Sequence, residues 1–180
     1  MSAAIVERDS LTPEATPVSR RAIAIWAMTA AFGLAIVGLI IGAPLAQAQS
    51  HPEFASPIYK TFSFVCHQIS ERSFHVAGHQ FAVCSRCTGL YAGFAAAALS
   101  YPLVRSLKST ETPARLWLIL AAVPLVVDFA LTYFSIWQNT HLSRFSTGAL
   151  LGAVAVFFII PGLIELSSTM THRRKSRKAH

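Results

Sequence analysis

Charge is what this chain has least of: 13% of its 180 residues are Asp, Glu, Lys or Arg, and only 8 of those are acidic. Set against 53% hydrophobic residues and a mean hydropathy of +0.50, that scarcity excludes an ordinary soluble domain and points to an integral membrane protein. Cysteine is scarce as well. Three residues, an odd count, exclude a fully paired disulfide framework. The formal net charge of +7 does not signal nucleic acid, because more than half of the basic residues sit in short segments beside long apolar runs. That placement orients a membrane protein, and nothing in the chain resembles a nucleic-acid-binding fold.

What is present is a set of long apolar runs. Residues 1–19 mix small, charged and proline residues without periodicity and are expected to form a mobile tail. After Arg20 and Arg21, the run Ala22 to Ala43 carries no charge. At about 1.5 Å per residue it spans roughly 33 Å, enough to cross a bilayer core. Ala46-Gln47-Ala48 has the form of a signal-peptide cleavage site, but the run exceeds the usual apolar region of about 7 to 15 residues, which favours an uncleaved helix. Further runs at about 87–104, 116–134 and 147–166 give an all-α, four-transmembrane-helix bundle, a single membrane domain over 20–167. A polar segment, 44–82, joins the first two helices, and residues 168–180 form a basic tail.

Lys and Arg near the helix ends set the expected orientation. Arg20 and Arg21, then Arg105, Lys108 and Arg115, then the basic tail share one side, which makes both termini cytoplasmic in a multi-pass inner (plasma) membrane protein. The polar segment 44–82 then faces outward. Its partner is the lipid bilayer, and Arg173, Arg174, Lys175, Arg177 and Lys178 can hold the tail against anionic lipid head groups. A transport pore would require a homo-oligomer, since four closely packed helices leave little lumen. Three Gly-x-x-x-Gly pairs, Gly38/Gly42, Gly89/Gly93 and Gly148/Gly152, all fall in the outer half of the membrane and predict close helix packing there.

Within the outer segment Ile58, Phe62, Val65 and Ile69 recur at helical spacing, predicting a short amphipathic surface helix with Cys66 and His67 near its C-terminal end. Cys84-x-x-Cys87 opens the second apolar run in the manner of a zinc knuckle, the two-residue gap letting both sulfurs reach one ion at about 2.3 Å. Cys66 offers a third sulfur, and His67, His75 or His79 a fourth ligand. His67 is favoured narrowly, although adjacency to Cys66 makes joint ligation of one ion awkward. The expected site is therefore Cys66, His67, Cys84 and Cys87 around zinc or a similar divalent metal, closed and structural. Two alternatives stay open: a thiol-disulfide oxidoreductase using Cys84 and Cys87, and a plain disulfide between them with Cys66 free.

A second constellation lies at the same membrane level. Asp128 sits inside the third apolar run, where an unpaired carboxylate is expensive, and Arg86 and Arg144 are at reachable depths. A structural ion pair is one reading. The other makes Asp128 a proton acceptor or ligand while Arg72, Arg86 and Arg144 converge on an anion such as a lipid phosphate, as in a lipid- or anion-handling enzyme or carrier. Tyr91 can line either site or anchor the interface. Asn139 and His141 are expected as solvated caps, and Glu165 is expected to reach the basic tail.

Cys66-His67-Gln68, Arg72-Ser73-Phe74, Gly78, Cys84-x-Arg86-Cys87-Thr88-Gly89-x-Tyr91-x-Gly93, Asp128, Asn139, Arg144, Thr147-Gly148 and Gly152 together resemble a family of small predicted membrane proteins, domain-of-unknown-function family 2085. The likeness covers roughly Phe62 to Gly152. It implies a multi-helix membrane fold, groups these residues into one site, points to His67 over His75 and His79, and brings no established reaction.

Overall fold

The computed structural model describes residues 18–176. They form α1 (Arg20–Ala48), α2 (Pro52–Ser63), a hairpin of β1 (His75–Val76) and β2 (His79–Gln80), then α3 (Ser85–Val104), α4 (Leu116–Tyr133) and α5 (His141–Ser176). Four of the helices, α1, α3, α4 and α5, are long and apolar enough to cross a membrane. The chain is an all-α membrane bundle. The tail up to residue 17, Arg177 and Lys178, and the side chains of Arg173, Arg174 and Lys175 lie outside the described residues, so the expected contact of Glu165 with the tail does too.

Four boundaries differ from the sequence reading, the largest being the end of the last helix, which runs to Ser176 rather than near Leu166. The first span continues past Ala43 through Pro44 to Ala48, because a proline costs the helix one bond while Leu45 to Ala48 are mostly good helix formers. The last span begins at His141 rather than near Thr147. Thr140 caps it, its hydroxyl accepting from the Ser143 N–H at 3.1 Å, and the Ser146 and Thr147 hydroxyls donate back to carbonyls one turn earlier at 2.9 Å. Hydropathy registers these polar side chains as a break; the backbone does not. The amphipathic helix stops at Ser63, so Cys66 and His67 are not on it. Ala55 and Phe62 are buried on it and Phe54 is exposed, while Phe64 and Val65, just past its end, are open to the surroundings.

α3 is the centre of the bundle, packed against both α1 and α5, which also touch each other, and α4 packs on α5. α1 runs antiparallel to α3: the Trp26 indole donates to the Ala98 carbonyl at 2.7 Å, and at the other end the Ile40 carbonyl accepts from Ala82 at 3.4 Å. α3 and α5 run in the same direction, with Gly89 against Phe145 and Gly93 against Ala149. A Cβ on Gly89 would lie 2.0 Å from the Phe145 carbonyl oxygen, and one on Gly152 2.0 Å from that of Leu90. Two of the three glycine pairs thus make one interface. The third, Gly38 and Gly42, has nothing within 4 Å of where a Cβ would be. One buried cluster, including Ala98, Tyr101, Val156 and Ile160, fills one end; the other joins Ile40, Ala43, Phe62, Ala82 and Val83 to Cys66.

Candidate metal centre and the cavity beside it

The segment after α2 is folded so that Cys66 turns inward. Val65 and Cys66 donate their N–H groups to the Phe62 carbonyl at 3.1 and 2.9 Å, which closes the helix and leaves Cys66 buried and His67 exposed. Gln68 follows in the left-handed region at φ 50°. Its side-chain amide donates to the carbonyls of Tyr59 at 2.7 Å and Ala82 at 2.8 Å, fastening the segment to α2 and to the strand that leads into α3. The hairpin turns on Ala77 and Gly78, both at positive φ, the two-residue turn whose twist suits antiparallel strands. It returns the chain to Cys84, whose backbone N–H donates to the Cys66 sulfur at 3.2 Å.

Cys84 is the N-cap of α3 and Cys87 lies in its first turn. The sulfurs of Cys66, Cys84 and Cys87 all lie within 4.8 Å of one another, and all three are free thiols. Hydrogen bonds from the Cys66 and Cys87 thiols, helped by the backbone N–H groups of Cys87 and Arg86, hold the Cys84 thiol far below its usual range, against the opposing effect of burial. Among the described residues no histidine joins the three sulfurs within that distance. His67 is exposed beside the buried Cys66 and lies outside the sulfur group. His75 is on the hairpin, its ring nitrogen 3.2 Å from the Ser70 hydroxyl, and His79 is on the opposite strand.

The charged constellation adjoins this cluster. Arg86 forms an ion pair with Asp128, which is buried, and its guanidinium lies 5.7 Å above the Phe129 ring. Arg144, 9% exposed, has no hydrogen-bond or ion-pair partner for its guanidinium among the described residues. A cavity of about 450 Å³ joins the two constellations. Cys66, Cys84, Cys87 and His67 line one part, Arg72, Arg86 and Arg144 another, and Val65, Ile69, Phe129 and Tyr133 make it partly apolar. Tyr91 is not on this cavity; it packs edge-on against Phe62 with ring centroids 6.2 Å apart.

Of the two residues expected as solvated caps, Asn139 is half-buried and His141 is exposed at the start of α5, and both also bond into the site. The Asn139 amide donates to the Asp128 carbonyl. His141 opens α5 with its Nδ1 at 2.8 Å from the Ser85 hydroxyl, and Ser85, fully buried, donates to the Arg72 carbonyl at 2.9 Å. Because the one hydroxyl proton goes to Arg72, Nδ1 of His141 carries the hydrogen in this arrangement. Phe74 packs against His141 and Phe145 at centroid distances of 5.6 and 6.0 Å, so the arginine-bearing turn, α3 and α5 share one joint. Phe129, Thr132 and Tyr133 were also unmarked in the sequence. Only Thr132 had a signal in the spacing, lying four residues after Asp128 on the same face of α4; Phe129 and Tyr133, one and five residues after it, point well away from that face and carry none.

A family profile described as a predicted membrane protein, DUF2085, matches residues 66–158. The chain belongs to the DUF2085 family. The matched region starts at Cys66 and contains every cysteine and every arginine of the cavity, while α1 and α2 lie outside it. Uncharacterized protein MJ1492 of Methanocaldococcus jannaschii is 35% identical over 109 residues, 61% of this chain and 70% of that protein. An uncharacterized protein of Methanothermobacter thermautotrophicus is 33% identical over 111 residues, 62% of this chain and 91% of its own length. No solved structure matches the chain.

Proposed function

We propose that this DUF2085 protein carries a metal–thiolate centre, zinc or a similar divalent ion held by Cys66, Cys84 and Cys87, at the outer face of the inner membrane. The observation that carries the reading is the convergence of three free sulfurs from two separate segments, within 4.8 Å of one another, with a backbone N–H directed at one of them. Ligands at about 2.3 Å in a tetrahedron lie about 3.8 Å apart, so closing the tripod onto an ion takes a shift of about 1 Å at most. A disulfide between two of these sulfurs would strand the third. The N-terminal end of α3 and the N–H donors around Cys84 favour a thiolate at that position, which is what the ion requires.

The fourth coordination position distinguishes this centre from a closed structural site. His67 lines the cavity but lies outside the sulfur cluster, so an ion held by the three cysteines would have a position left for water or an exogenous ligand, as catalytic ions do. The orientation rests on the basic residues: with Arg20, Arg21, Arg105, Lys108 and Arg115 inside, both termini are cytoplasmic and the cysteines face outward. A thiol oxidoreductase draws support from the acidic Cys84 thiol, with Cys66 as the group that acidifies it, but it leaves the arginine-lined cavity without a role.

X-ray absorption on the purified, metal-bound protein tests the centre. Three sulfurs at about 2.3 Å and one nitrogen or oxygen neighbour are expected, with the sulfur shell reduced in Cys84→Ser. A metal with no sulfur neighbour would overturn the assignment.

A further inference from the structure

The geometry points to a binding site for a phosphate group, free or as a phosphate monoester, in the cavity lined by Arg72, Arg86 and Arg144. Arg86 forms the ion pair with Asp128, whose single carboxylate also attracts Arg144 from further off, and neither Arg72 nor Arg144 has an acidic ion-pair partner among the described residues. Three thiolates around a divalent ion leave one negative charge, too little to offset two arginines. Arg144 cannot relieve its charge by reaching for the membrane surface, because it is 9% exposed and directed into the cavity. Arg86 and Arg144 also stand in the first turns of α3 and α5, the ends at which the helix dipole disfavours a cation. A buried Arg144 and a half-buried Arg86 placed against that field, with Arg72 beside them around a space of about 450 Å³, carry more positive charge than Asp128 offsets, and the excess is compensated when an anion with several acceptor oxygens occupies the space.

The cavity is larger than inorganic phosphate needs, and Val65, Ile69, Phe129 and Tyr133 give it an apolar wall beside the cationic one. That combination fits a phosphate attached to an apolar or glycerol portion as well as a free phosphate. The pocket itself stands on the arginines. Only the approach of a bound phosphate to the open coordination position rests on the metal centre proposed above.

The test uses the full chain in phosphatidylcholine nanodiscs, titrated calorimetrically with inorganic phosphate and with dihexanoyl phosphatidic acid, before and after chelation. Saturable one-to-one binding of at least one probe is expected. Losing a charge-assisted hydrogen bond is worth a factor of about ten or more, so Arg72→Ala and Arg144→Lys should each weaken binding by about that factor. Arg72 is exposed, so its variant decides the matter even if the buried Arg144 position does not tolerate change. Tighter binding of the lipid supports a head-group source, and equal or tighter binding of inorganic phosphate supports a soluble one. Binding that survives chelation upholds the pocket even where the metal reading fails. No saturable binding of either probe to the folded protein, or affinities unchanged in both variants, would overturn it.

Discussion

At the scale of single residues, the site is held by a few polar groups that each have a defined partner. Asp128 is the clearest case, being buried, paired with Arg86 and bound through its carbonyl to Asn139. Removing its carboxylate leaves Arg86 with no anion inside the bundle, a change that costs about 3–5 kcal/mol when a buried pair is broken. Asp128→Ala should therefore unfold at markedly lower denaturant than the native protein, and a loss below about 1 kcal/mol would show that Arg86 reaches water. The cysteines, the arginines and Asp128 were legible in the sequence because each interrupts an apolar background. Ser85 and His141 were not, since isolated polar residues at helix starts look like caps, and their bond spans 56 positions of chain. Gln68 bridging Tyr59 and Ala82 carries no periodic signal either.

At the scale of elements, the α3–α5 interface decides whether the two first-turn arginines share a cavity at all. Gly89, Gly93, Gly148 and Gly152 bring the two backbones together with no room for a methyl group. Gly89→Ala and Gly152→Ala should each destabilise by at least about 2 kcal/mol, read as a lower melting temperature, whereas Gly38→Ala should be nearly neutral because that position faces open space. Equal effects at Gly38 and Gly89 would contradict this packing. The spacing of the glycines announced close approach, but a pattern in one helix does not say which other helix it meets. The four spans themselves were legible from hydropathy, but ends of the first and last were misplaced by roughly five to ten residues, where serine and threonine hydroxyls bond back to the helix or where proline is tolerated inside it.

For the whole molecule, the arrangement of basic residues predicts an inside and an outside. A cytoplasm-dependent fluorescent reporter should be active at either terminus, and a secreted-enzyme reporter should be active when inserted at the Ala77-Gly78 turn; the opposite pattern would invert the bundle and place the cysteines in the cytoplasm. If the site faces outward as proposed, its thiols would meet oxidising conditions, and a bound ion would protect three of them held this close together. The most direct measurement is therefore elemental analysis of the detergent-purified protein, combined with a count of reactive thiols before and after chelation. About one zinc or similar ion per chain, with three thiols that become reactive only when the metal is removed, is the predicted result. No bound metal, with two of the three cysteines joined in a reducible disulfide, would contradict the metal centre and make thiol chemistry the function of this site.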